Sequence, residues 1–254
     1  MTRLILMLAL ALAVPTAVPE VAVAQTQVEQ ISETLEKCRE AAVRVRNRGS
    51  VGSGAFFYRE GGNYYVLTNN HVAGREGNTV TIEMWYRGYL SQPIRGRVVF
   101  STNIRNYYRD IAIIEIPESS LMGYQPPCIP LAPSDYRADY SRIYSFGCGA
   151  GSWLTCWEGH AFSEEAQSGH VINFHPQPAG GRSGSSIFSH DGKYIIGLIA
   201  WRSAGGQHNL DGGSENRSRH GIAMTKDEVR AALKGLPPGQ VRVPTFPLRL
   251  PAYT

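Results

Sequence analysis

Val28, Ile31, Leu35 and Cys38 recur at helical spacing with charged residues between them, which predicts a short amphipathic helix over 25–40. Beyond it the pattern changes. Apolar and β-branched runs bounded by turn residues predict strands at 41–47, 53–58, 63–69, 79–86, 93–101 and 111–117, with Gly61-Gly62-Asn63 as a strong turn between the second and third. A Pro-rich stretch from Pro117 to Pro133 reads as a connector. Strand-like runs resume at 142–147, 154–163, 169–174, 185–189, 193–201 and 219–224. Thr225-Lys226-Asp227-Glu228 is a capping box opening a helix over 225–235, stopped by Gly235 and Pro237-Pro238. The tail 236–254 is Pro-rich and extended. Six strands, a connector and six more strands predict an all-β fold: an N-terminal six-stranded antiparallel barrel (41–125) beside a C-terminal one (126–224). A cleft between two such barrels is where a site is readily assembled.

The first 24 residues read as an address rather than as structure. Arg3 supplies a positive start, Leu4 to Leu12 is an unbroken apolar run, and Ala22-Val23-Ala24 offers a cleavage site before Gln25. A membrane span needs about 20 apolar residues, and Pro15 with Glu20 interrupts this one. A signal peptide over 1–24 and an exported mature chain, periplasmic or extracellular, are expected, with no stable membrane insertion after cleavage.

Composition narrows the class. With 43% hydrophobic and 18% charged residues in 254, the chain can fill a core and is neither disordered nor collagen-like. Its net charge is +4, and no Lys/Arg run is long enough for a nucleic-acid footprint, so no nucleic-acid partner is expected. Export makes disulfides the natural state of Cys38, Cys128, Cys148 and Cys156, which allow three connectivities. Cys148 and Cys156 flank the turn-rich tip Gly149-Ala150-Gly151-Ser152, where two strand ends can approach to bridging distance. The run Cys148, Cys156, His160 lacks the close-paired spacing of zinc ligands, so neither a metal nor another cofactor is expected.

Three segments carry candidate chemistry. Thr68-Asn69-Asn70-His71-Val72 ends a strand in a histidine, with Gly52-Ser53-Gly54 ahead of it. Arg109-Asp110-Ile111-Ala112 places an acid just before an apolar strand. Gly180-Gly181-Arg182-Ser183-Gly184-Ser185-Ser186 sets serines in a glycine-rich turn running into a strand. A hydroxyl is a weak nucleophile and needs a base within hydrogen-bond reach. A histidine titrates in the right range, and an acid fixes its tautomer. Each segment alone reads as an ordinary turn or surface residue, and Ser185 or Ser186 competes with Ser183. Together they make a His71–Asp110–Ser183 triad.

The order His, Asp, Ser and the flanking motifs resemble the trypsin-like, chymotrypsin-fold serine peptidases, over about 41–224. Gly52-Ser53-Gly54 and Thr68-Asn69-Asn70-His71-Val72 are most similar to the bacterial envelope branch of HtrA type. Too little chain follows 224 for a peptide-binding PDZ module, so a protease domain alone is expected. The resemblance implies a serine endopeptidase acting on proteins or peptides through an acyl-enzyme, with the Gly181 and Ser183 N–H groups as oxyanion hole. It further implies a cleft strand at Ala200, Trp201 and Arg202, a primary-pocket base near Gln177, and a Cys38–Cys128 disulfide beside Cys148–Cys156. His175-Pro176-Gln177-Pro178-Ala179 contains no acid, so a preference for Arg or Lys is not expected. Two residues depart from the family pattern. Arg182 stands where activatable digestive relatives carry an acid that binds a new N-terminus, and Ala200 where many relatives have a serine on the catalytic aspartate. A silent peptide-binding module and an acyl-ester hydrolase are the alternatives. No pattern specifies an oligomeric state.

Overall fold

Strand β1 (Ala42–Asn47) alternates Val43 and Val45 inward with Arg44 and Arg46 outward, the period that a half-buried strand requires. A helix, α1 (32–41), runs directly into it with Cys38 and Ala41 buried. The computed structural model describes residues 32–86, 89–102, 110–133, 136–137, 141–149, 152–165, 171–175, 178, 180–202 and 221–225. The signal segment 1–24, the helix expected after Thr225 and the tail 236–254 lie outside the described residues.

The N-terminal half continues through β2 (Ser50–Glu60), β3 (Asn63–Thr68), a single helical turn α2 (Asn70–Ala73), β4 (Thr79–Tyr86), β5 (Tyr89–Leu90), β6 (Ile94–Ser101) and β7 (Ala112–Pro117). These strands form one sheet in the order β1-β2-β3-β7-β6-β4-β5, and β1 also pairs antiparallel with β4 from Val43↔Met84 to Arg46↔Thr81. The C-terminal half comprises β8 (Arg142–Gly149), β9 (Ser152–Glu165), β10 (Val171–His175), β11 (Ser186–Phe188), β12 (Ile195–Arg202) and β13 (Gly221–Thr225). It closes as a six-stranded barrel, β10-β13-β12-β11-β8-β9, every pair antiparallel. The fold is thus mostly β. The expected six-strand barrel stands in the C-terminal half, whereas the N-terminal half is a seven-stranded sheet. Its extra strand, β5, is only two residues long and pairs as Trp85↔Leu90 and Tyr86↔Tyr89, too short for any alternation to announce it.

Two apolar clusters hold these layers. The larger gathers Phe56, Val66, Leu67, Ile82 and Ile113 with Phe146, Phe188 and Leu198, so it crosses from one half to the other. The smaller fills the C-terminal barrel with Ile143, Trp157, Phe174, Ile187 and Ile196, with Trp157 edge-on to Phe174 at 5.1 Å. Each such side chain contributes about 1.5–3 kcal/mol by leaving water. The Pro-rich connector adds hydrogen bonds to both halves. Ile129 N–H donates to Phe56 O at 3.0 Å, while Ala132 N–H donates to Ile195 O and Ile195 N–H to Pro130 O, each at 2.8 Å. On the outer face, burial pushes the Glu83 carboxyl up, but hydrogen bonds from Arg44 and Arg46 outweigh it and hold the group below its ordinary range.

The cysteines correct the expected pairing: none of the four is in a disulfide. Cys148 is fully buried whereas Cys156 is exposed, and the β8–β9 register sets Cys156 opposite Phe146 with a shift between Gly147 and Gly149. Cys38 donates from Sγ to Gly192 O at 3.0 Å, and Gly192 abuts Thr34 and Leu35. Helix α1 therefore docks on the turn between β11 and β12, while Cys128 lies near Arg59 and Tyr64 of the first sheet. Burial raises the thiols of Cys38, Cys128 and Cys148, the last two to about 11. Titration with a thiol reagent should find four thiols per unfolded chain, with Cys156 reacting first in the native protein. A count of two or none in denaturant would overturn this arrangement.

Candidate active site

Strand β3 ends at Thr68, and Asn69 turns the chain into α2, which carries His71. Gly74 ends that turn in a left-handed conformation (φ +82°), which favours glycine, and its N–H returns to Asn70 O at 2.6 Å. Asp110 stands two residues before Ala112, and the β3–β7 register pairs Thr68 with Ala112, so the sheet itself brings the acid alongside the histidine. Asp110 is fully buried. Its Oδ1 accepts the His71 backbone N–H at 2.9 Å and its Oδ2 is hydrogen-bonded to His71 Nδ1. The Asp110 carbonyl accepts from Asn69 Nδ2 at 2.7 Å, and the next residue, Ile111, exchanges hydrogen bonds with Thr102. The acid is thus fixed on both sides, while the His71 side chain keeps 29% exposure.

Ser183 sits between two glycines in left-handed conformations, Gly181 (φ +93°) and Gly184 (φ +83°). At Gly184 there is also no room for a side chain: a Cβ would lie 2.2 Å from Ser53 O and 2.3 Å from Thr68 Oγ1. The turn is closed by Ser185 N–H on Arg182 O at 2.8 Å and is tied to β12 by Gly184 N–H on Ile199 O at 2.9 Å. Val72, beside His71, and the Ser183 carbonyl meet over Gly52. A Cβ there would be 2.6 Å from the Val72 methyls and 2.9 Å from Ser183 O. The structure therefore gathers the His71–Asp110 pair and the Ser183 turn around the start of β2. Burial also separates the competing serines, since Ser185 and Ser186 are fully enclosed and Ser183 is partly exposed.

The motif Gly52-Ser53-Gly54 gives Ser53 no evident task in the sequence. Ser53 is buried, and four hydrogen bonds converge on it. Its N–H donates to Ser183 O at 2.8 Å and its carbonyl accepts from Thr68 Oγ1 at 2.7 Å. Its hydroxyl donates to Gly181 O at 3.2 Å and accepts from Cys148 N at 2.8 Å. The only signal in the sequence is a polar residue between two glycines within the otherwise apolar stretch 51–57. Gly147 is the counterpart, because a Cβ there would sit 2.4 Å from Ser185 Oγ and 2.5 Å from Ser53 Oγ.

Of the residues expected to bind substrate, Ala200 is buried in β12 at a register shift between Ile199 and Trp201, a bulge on the strand next to the Ser183 turn. Trp201 and Arg202 continue that strand and pair with Ile222 and Gly221. Gln177 lies outside the described residues. Among the described residues no three His, Cys, Asp or Glu side chains gather as metal ligands, and no helix is long and apolar enough to cross a membrane.

A mostly β molecule with a closed antiparallel barrel and this site has the fold of a trypsin-like serine protease. Comparison with known proteins agrees. A trypsin-like peptidase domain matches residues 52–198, and the chain belongs to that family. Among solved structures, the serine endoprotease from Yersinia pestis is similar at a TM-score of 0.60 and 18% identity, covering 80% of this chain and 65% of that one. The HtrA-type protease AlgW with tripeptide gives 0.58 at 21% identity, with 80% of this chain and 61% of that one. The chain therefore spans less than two thirds of either relative. An inactive form of Rv3671c from M. tuberculosis H37Rv gives 0.58 at 18% identity, with 87% and 95%. A comparison with curated protein sequences gives no match.

Replacing Ser53 by alanine leaves the buried Cys148 N–H without its acceptor, a loss that costs about 1–3 kcal/mol. Ser53→Ala should therefore lower Tm by several degrees in a thermal melt followed by circular dichroism. An unchanged Tm would show that the hydroxyl ties nothing together.

Proposed function

We propose that this protein is an exported serine endopeptidase in which Ser183 attacks the peptide carbonyl, His71 takes its proton and Asp110 holds the imidazole. The observation that carries the reading is the buried Asp110 carboxylate bonded to both His71 N–H and Nδ1, beside the accessible serine of the glycine turn. With Nδ1 committed to the acid, Nε2 is the ring nitrogen that serves the nucleophile. In Ser-His-Asp triads an acid of this kind is worth about 10⁴-fold in turnover.

The oxyanion donors are the N–H groups of Gly181 and Ser183. In a planar trans peptide the C=O and N–H point opposite ways. The Arg182 carbonyl turns inward to Ser185 N–H, so the Ser183 N–H is directed away from that contact. A donor of this kind contributes ~10²–10³ in rate.

Extended peptide is the substrate that suits the site. Past Ile199, β12 pairs among the described residues with β13 alone, and an extended peptide would add to its other edge at Ala200–Arg202. The ring β1-β2-β3-β7-β6-β4 with its β1–β4 pairing supports reading 41–125 as a second barrel beside 126–224. The apolar segment before Gln25 supports secretion through a cleaved signal peptide.

A fluorophosphonate probe should label the mature protein, and Ser183→Ala should abolish the label. His71→Ala should reduce casein cleavage by orders of magnitude. Label persisting in Ser183→Ala would refute the assignment, and a folded wild type that never labels would favour a silent peptide-binding module.

Specificity follows from the sequence ahead of the turn. The stretch His175-Pro176-Gln177-Pro178-Ala179 offers no carboxylate to neutralise a substrate cation, and an unpaired buried charge costs several kcal/mol. Small or medium uncharged residues should precede the cut in a mixed peptide library, with acidic residues second. A majority of cuts after Arg or Lys would overturn this.

A further inference from the structure

Arg182 immediately precedes the serine and is fully buried. Its side chain runs inward from the turn and spans two strands. Nη1 donates to Ser145 O on β8 at 3.2 Å, and Nη2 donates to Thr155 O and Thr155 Oγ1 on β9 at 2.9 and 2.7 Å. Thr155 Oγ1 in turn donates to Gly147 O at 3.1 Å. Gly147 is the residue against which Ser53 and Ser185 pack. The side chain is thus hydrogen-bonded to the β8–β9 hairpin through three oxygens.

Burying a guanidinium is costly, and only good geometry with several hydrogen bonds returns that cost. Arginine suits this place because its planar fork reaches two strands at once, whereas a lysine ammonium is a single flexible point. The backbone of the same residue is central to the turn: its carbonyl accepts Ser185 N–H, and the peptide it shares with Ser183 carries one candidate oxyanion donor. Holding the side chain therefore holds the orientation of that donor.

We propose that Arg182 is a positioning residue that clamps the Ser183 turn onto the β8–β9 hairpin and so keeps the oxyanion donors set without any inserted chain terminus. This inference rests on the proteolytic reading above. Interactions made only with the tetrahedral oxyanion raise kcat rather than lower KM, so loosening the clamp should act on the former.

The test uses the mature chain and its variants Arg182→Lys and Arg182→Met, with near-UV circular dichroism to establish folding. Both variants should lose kcat by about 10²-fold, the effect of one misplaced oxyanion donor, with KM changing less than threefold. Binding of a peptide boronate, which forms a tetrahedral adduct on serine, should weaken in parallel, and binding of a product peptide should not. A mature chain carrying extra residues ahead of Gln25 should retain full kcat. Folded variants with kcat and boronate affinity within threefold of wild type would overturn the proposal, as would loss of activity in the extended chain. If Arg182→Met fails to fold, Arg182→Lys carries the comparison. A loss there that merely matches the unfolded fraction also refutes a positioning role. A folded wild type that neither labels with fluorophosphonate nor cleaves peptide defeats the proteolytic reading itself and this proposal with it.

Discussion

The Ser53 peptide group and hydroxyl bind three segments that are far apart in the chain: the end of β3 through Thr68, the β8 strand through Cys148, and the serine turn through Gly181 and Ser183. The bonds to the Thr68 hydroxyl and the Cys148 N–H are buried, so those groups would be costly to leave unpaired. The Ser53 hydroxyl both donates and accepts, which an alanine or a glycine cannot do. The close approach this needs is made possible by glycines at 52, 147 and 184, where a Cβ would fall within 2.6 Å of a neighbouring atom. One polar residue in the apolar stretch 51–57 of β2 therefore sets the position of the serine turn relative to the histidine turn.

The acid and the histidine depend on a different constraint. Their partnership follows from the register of two adjacent strands, since β3 and β7 pair in register from Asn63↔Pro117 to Thr68↔Ala112. A one-residue slip in that pairing would reverse the facing of every side chain on one strand. Both faces of these strands are buried, with Ile113 and Ile114 in succession on β7 and Val66 and Leu67 on β3, so a slip would force the packing on both sides to rearrange. Core packing thus protects the site geometry. The serine turn, by contrast, is held by hydrogen bonds from Ser53 in front and Arg182 behind. Such bonds are directional, so they fix the orientation of the turn's peptide groups as well as its position.

Much of this was legible along the chain. Alternation and turn residues located the long strands, because strands packed on one face repeat every two residues and glycine marks their ends. The motifs around His71, Asp110 and Ser183 singled out segments that the fold brings near one another, and the glycines beside Ser183 announced a turn that needs left-handed backbone. The two-residue β5 left no pattern, being shorter than one full alternation. The cysteines misled because an expected oxidising compartment makes pairing plausible for any of them, while pairing requires Cα atoms within about 7 Å and side chains aimed at each other. Cys148 is turned into the core and Cys156 to solvent, on strands whose register shifts between Gly147 and Gly149.

The sequence by itself determined local matters: where strands run, where they break, and which residue types are available for acid, base and nucleophile. Those follow from hydrophobic period, turn preference and side-chain chemistry, all of which act over a few residues. Tertiary structure alone decided which serine is accessible, what lies behind Arg182, and that Ser53 ties the two halves at the site. The physical reason is the same in each case. Burial and hydrogen-bond partnership are set by atoms distant in the chain, such as Thr155 against Arg182 and Gly181 against Ser53. No periodicity along one strand encodes which strand will come to lie against it.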